Sequence, residues 1–220
     1  DVIIGCGNPF YDESGNKRDE AYYKYIPKFL YDNITAGESS FQDENGTDYS
    51  LMSADSDGTA DKWSFYSSYE DLKDIAEGKN VPDRLFSMPE VFSTLQANRN
   101  GDEFNKDIPS LEMLSNAALN VLSKNENGFF LMIEGGAIDW ASHDSSYVRT
   151  IEETHDFNNA VDAVINWVEE NSNWEETMVL VTADHETGYL VNSSFENRIK
   201  NKEAYTFDMS IPDNSQKSYE

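Results

Sequence analysis

Two short apolar runs, Phe129 to Ile133 and Met178 to Thr182, stand out in the second half of an otherwise polar chain. Their brevity and their bulky, partly β-branched content predict buried strands. Val2 to Ile4 predicts another core strand, after which Gly5, Gly7, Asn8 and Pro9 turn the chain away. Helical periodicity fills the space between the runs. Ser110 predicts the cap of a helix reaching about Lys124, with Leu111, Leu114, Ala118, Val121 and Leu122 as its apolar stripe. A second helix, from about Thr150 to Glu170, would bury Phe157, Val161, Val164, Ile165 and Val168. A shorter one is expected from Tyr69 to Glu77, stopped by Gly78. Strand, helix, strand in this order predicts a right-handed crossover and neighbouring parallel strands. The fold class is therefore α/β, with a mostly parallel central sheet flanked by helices. Residues 10–107 are polar, aromatic and rich in turn residues, and are expected to form a large irregular insertion; residues 108–190 hold the core. No element is predicted from Asn192 to Glu220.

Charge narrows the class of partner. Sixteen basic residues against 42 acidic ones give a net charge of -26. Such a surface repels nucleic acid and anionic lipid, which removes both as partners. The acidity by itself fits solubility or a salt-rich habitat. No apolar run approaches the roughly 18 residues of a membrane span, and Cys6 is the one cysteine, so no internal disulfide can form. Asp1 to Gly5 looks like the middle of a strand-to-turn unit, from which a missing amino terminus is expected.

Both apolar runs empty into acidic and imidazole side chains. The first is followed by Glu134, the Gly135-Gly136 pair, Asp139 and His143; the second by Asp184, His185 and Glu186. Asp139 and His143 are four apart, which puts them on one helical face, a spacing that lets two ligands grip one metal ion. In open α/β sheets ligands bind at the carboxyl ends of the strands, so the two groups should meet in space. Taken alone, an Asp-His pair could equally cap a helix and hydrogen-bond within its own turn. His155, within the second long helix, reads as an ordinary helical residue, and Glu153 and Asp156 as a solvated face. Glu186 is a candidate to hydrogen-bond a ligand. Asp55 to Asp61 has the look of a calcium loop, but Tyr66 occupies the position where a bidentate glutamate is expected. Asn33, Asn45 and Asn192 begin glycosylation sequons.

Four stretches together resemble bacterial alkaline phosphatases: Pro109 to Met113, Gly128 to Gly135, Ile138 to His143 and Thr182 to Gly188. Asp1 to Gly7 fits the family's pattern as well, and Trp140 is similar to the cold-adapted marine members. The resemblance implies that Glu134 binds magnesium, that Asp139 and His143 hold one zinc, and that Asp184 and His185 contribute to a second. It implies a homodimeric phosphate monoester hydrolase of the periplasm or extracellular space, working through a phosphoserine. The family's serine nucleophile, its phosphate-clamping arginine and a further zinc histidine have no counterpart in these 220 residues. On this resemblance the chain is an internal part of an alkaline phosphatase domain, expected to be inactive alone. The alternatives are a phosphodiesterase or mutase of the same metal-dependent superfamily, or a non-catalytic metal-binding module.

Overall fold

A computed structural model describes residues 1–50, 58–59 and 61–187. In chain order the elements are β1 (Val2–Ile4), α1 (Lys28–Thr35), β2 (Ser40–Gln42), β3 (Asp48–Ser50), β4 (Ser64–Tyr66), α2 (Tyr69–Ala76), β5 (Leu85–Ser87), α3 (Leu111–Leu122), α4 (Ala137–His143) and α5 (Tyr147–Asn171). The architecture is α/β. Strands β1, β5 and β4 form a parallel sheet in that order, with Ile3 opposite Phe86 and Phe86 opposite Phe65. β2 and β3 make a separate antiparallel pair.

Side chains alternate across the sheet, as they must in a pleated strand. Leu85 faces Ile75 of α2 and Ala117 and Val121 of α3, and Val2, Ile4 and Tyr66 pack against the same cluster. On the other face Phe86 stacks with Phe65 at 6.2 Å and meets Trp63 edge-on, while Tyr31 of α1 covers Phe65 at 5.5 Å. Helices therefore flank both sides of a short parallel sheet.

The helix starts follow local chemistry. Ser110 accepts the Met113 N–H at 3.1 Å, and Ser68 accepts that of Asp71 at 3.2 Å, so each hydroxyl satisfies one of the orphan amides of a first turn. Gly78 closes α2 at φ 77°, a conformation costly for a residue with a Cβ. α3 buries Leu114, Ala117, Ala118, Leu119 and Val121. α5 buries Glu153, Ala160, Ala163 and Val168, so its inner face is rotated from the expected stripe and Ile165 reaches solvent.

Three expectations are corrected. The stretch 10–107 is not merely irregular: it supplies β4, α2 and β5, two of the three strands of the parallel sheet among the described residues. The runs 129–133 and 178–182 carry no ladder pairing among the described residues, and Phe130, Met132, Met178 and Leu180 are 89, 69, 78 and 77% exposed. The crossover expected to join them as neighbouring strands is correspondingly not formed there. Glu153 and Asp156 also depart from expectation, being removed from solvent on α5. The candidate calcium loop 55–61 lies outside the described residues except for 58, 59 and 61, and the Asn192 sequon lies wholly outside them.

Candidate metal centre

The Gly135-Gly136 turn leads from the first apolar run into α4. A Cβ on Gly135 would stand 3.0 Å from Phe157 Cδ2 and 3.1 Å from Ile138 Cδ1, so the glycine permits close approach of this turn to α5. α4 then presents Asp139 in its first turn and His143 in its last, with His143 Nε2 3.6 Å from Asp139 Oδ1. The i,i+4 expectation holds.

Downstream of the second run, His185 turns back on Asp184. Its amide donates to Asp184 Oδ1 at 3.0 Å and its Nε2 lies 3.3 Å from Asp184 Oδ2. Its Nδ1 is 2.9 Å from the Glu186 carbonyl. That carbonyl, then the Asp184 and Asp139 carboxylates, hold the imidazole above the usual histidine range. It is thus the main chain of Glu186 that orients His185; its carboxylate is exposed.

The two groups meet at Thr187. Its hydroxyl donates to Asp139 Oδ1 at 2.5 Å and lies 3.0 Å from His185 Nδ1. Thr187 was part of the second motif but had no predicted role, because a threonine after an Asp-His-Glu run carries no signal until the fold brings α4 beside it. Glu134 sits apart, on the wall of a cavity that Trp140 also lines. Among the described residues it makes no hydrogen bond or ion pair to the other four. His155 lies within α5, the helical position expected of it, and is exposed.

The donor chemistry suits a borderline cation such as zinc, which takes imidazole nitrogen and carboxylate oxygen at about 2.0–2.2 Å. Two such donors on a tetrahedral ion lie about 3.3 Å apart, close to the 3.3 Å and 3.6 Å separations of the two Asp-His pairs. The donor count is lower than a finished site needs. No three His, Cys, Asp or Glu side chains among the described residues converge on one point, and a catalytic zinc takes about three protein ligands.

Glu153 and Asp156 are not a solvated face. Glu153 is 7% exposed, and its carboxyl is pushed up to about 7, first by burial and then by the charges of Asp156 and Glu152. Asp156 accepts the Leu111 N–H at 3.0 Å, tying α5 to the start of α3; burial raises its carboxyl too. Acidic residues in a helix interior read as exposed when only their own helix is considered. The partners that bury these two arrive from α3 and from the segment around Ala97.

Fold and site together define an α/β protein with two carboxylate–imidazole pairs joined at one hydroxyl. The chain belongs to the alkaline phosphatase family, whose model matches residues 53–218, well over half its length. Alkaline phosphatase 3 of Bacillus subtilis (strain 168) is 46% identical over 83 residues, 38% of this chain and 17% of that relative. The membrane-bound alkaline phosphatase of Bombyx mori is 41% identical over 108 residues, 49% of this chain and 18% of its own. The alkaline phosphatase of Escherichia coli (strain K12) is 40% identical over 81 residues, covering 37% and 17%. The chain thus spans 17–18% of the length of these curated relatives. Among solved structures, a cold-active alkaline phosphatase from a psychrophilic Shewanella aligns with a TM-score of 0.47 at 22% identity, over 77% of this chain and 30% of that one.

Proposed function

We propose that the polypeptide to which these residues belong hydrolyses phosphate monoesters at alkaline pH through a phosphoserine intermediate, and that the 220 residues alone are inactive. The observation that carries this reading is the junction at Thr187, which draws Asp139 and His185 together in a chain of this family. In this proposal Asp139 and His143 hold one zinc, Asp184 and His185 contribute to a second, and Glu134 binds magnesium. When bound, the ions supply positive charge that reverses the local sign of a -26 surface and polarises the phosphoryl oxygens.

The chain's own residues do the positioning. The Glu186 carbonyl takes the Nδ1 side of His185, which leaves Nε2 beside Asp184 Oδ2 as a two-donor bite. Thr187 fixes the Asp139 carboxylate from the second motif, so the orientation of one pair depends on the other. The raised imidazole must give up its proton when a cation binds, which favours binding at higher pH. A homodimer in the periplasm or outside the cell belongs to the same proposal and rests on the family.

The test is hydrolysis of p-nitrophenyl phosphate and bis(p-nitrophenyl) phosphate by the polypeptide expressed at the length of its relatives, beside the 220-residue chain. Faster hydrolysis of the monoester, lost on chelation and restored by zinc with magnesium, is expected. Preference for the diester, or activity indifferent to chelator, would refute the assignment.

A further inference from the structure

Asn45-Gly46, Asn100-Gly101 and Asn127-Gly128 lie outside the helices and strands, with each asparagine exposed. Their glycines hold φ of 79°, 80° and 84°. Without a Cβ, each glycine leaves its own nitrogen open to the preceding asparagine side chain, and asparagine is among the thermolabile residues. Local sequence thus makes the pairs equivalent. The fold separates them. The Gly46 N–H donates to the Asp43 carbonyl at 3.0 Å and the Gly128 N–H to the Asn125 carbonyl at 3.0 Å. The Gly101 N–H meets no acceptor among the described residues, and its own carbonyl accepts from Arg149 Nη2 of α5. A guanidinium is therefore held beside the residue whose amide is free.

We propose that Asn100 is a site of self-modification, deamidating ahead of Asn45 and Asn127 because the Gly101 amide is free and Arg149 stands beside it. Hydroxide takes the Gly101 N–H proton, and the nitrogen attacks Asn100 Cγ. A new C–N bond closes a succinimide ring while the Cγ–Nδ2 bond breaks; the departing nitrogen takes a proton from water and leaves as ammonia. Water then opens the ring at either carbonyl, giving aspartate or isoaspartate, with nothing oxidised or reduced. Two features of the fold set the order. At Asn45 and Asn127 the glycine N–H must first surrender its hydrogen bond, about 1 kcal/mol, which slows attack about fivefold. At Asn100 a nearby cation favours the deprotonated amide. The modification alters a seam: Arg99 bonds the Asp102 carbonyl and Glu152 of α5, and Arg149 the Gly101 carbonyl. Either product adds a negative charge to that segment, and isoaspartate lengthens its backbone by a methylene. The inference is independent of metal binding and of the proposed catalysis.

Peptide mapping by mass spectrometry tests this on the 220-residue chain, incubated at mildly alkaline pH both folded and in urea. Aspartate and isoaspartate at each position are separated by retention time. In the folded chain Asn100 is expected to convert at least about fivefold faster than Asn45 or Asn127. In urea the rates should converge, since only local sequence then acts. Arg149→Gln should slow Asn100 alone, and Arg149→Lys, which keeps the cation, should restore much of the rate. An Asn100 no faster than the other two in the folded chain would overturn the proposal. So would the same ranking in urea, which would trace it to sequence and not to the fold. An unchanged or faster Asn100 in folded Arg149→Gln would also overturn it, by making the arginine a bystander or a restraint.

Discussion

Replacing Glu153 by glutamine removes one ionisable group from a buried position and leaves its shape. Glu153 is 7% exposed, and its carboxyl is raised from 4.5 to about 7 by burial, then by Asp156 and Glu152; the Arg99 charge and the Ala97 N–H oppose this and do not prevail. The folded chain thus holds this proton more tightly than the unfolded chain. Its contribution to stability is complete below about pH 4.5, falls as the unfolded carboxyl ionises first, and is lost once pH passes about 7. At about 1.4 kcal/mol per pH unit, the gap corresponds to roughly 3 kcal/mol. With a urea dependence of about 2 kcal/mol per molar, that is a shift of roughly 1.5 M in the unfolding midpoint. The assay is urea unfolding of wild type and Glu153→Gln at half-unit steps from pH 4.5 to 8, followed by tryptophan fluorescence. Other titrating groups are common to both proteins, so the difference between the two curves isolates Glu153. Wild type should lose stability relative to the variant as pH rises. A difference curve flat to within about 0.5 kcal/mol would refute the reasoning and place the carboxyl in water.

Three further outcomes are expected. Thr187→Val keeps the side chain's shape but removes the hydroxyl that meets Asp139 and His185, and should weaken zinc binding in calorimetric titration by about tenfold; unchanged affinity would count against a shared centre. Ser110→Ala should cost about 1 kcal/mol in urea unfolding and Ser110→Gly only a few tenths; equal costs would mean that the hydrogen bond to the Met113 amide does not act as a cap. The Cys6 thiol is pushed up to about 12 by burial, then by Glu13 and Glu153, so it should react with iodoacetamide at pH 8 far more slowly in the native chain than in urea; comparable rates would contradict its placement.

Features decided by neighbours in sequence were legible from the sequence alone. Ser110 caps its helix because a hydroxyl reaches an amide three residues on, and Asp139 and His143 share a face because four residues make about one turn. Features decided by neighbours in space were not. β4 and β5 are three residues each, too short for alternation to rise above an aromatic and polar background, and they become strands by pairing with each other and with β1. The runs 129–133 and 178–182 have strand composition, yet composition supplies no partner, and no strand pairs with them among the described residues. Glu153 misled for the same reason: its own helix offers it to solvent, and the segment around Ala97 and Arg99 removes it. The candidate site was legible as two motifs with metal-type donors; the hydroxyl joining them was not.

The central claim is that the motif on α4 and the motif after the second apolar run occupy one place. Disulfide trapping tests it without metal or substrate. In a Cys6→Ser background, Asp139→Cys and Thr187→Cys are combined, since these side chains meet at 2.5 Å in the native chain. Mild oxidation of the folded double variant should give a quantitative intramolecular disulfide between α4 and residue 187, and denaturation before oxidation should abolish that yield. A folded double variant that keeps both thiols free under the same oxidation would place the two motifs apart, and the shared centre would be wrong.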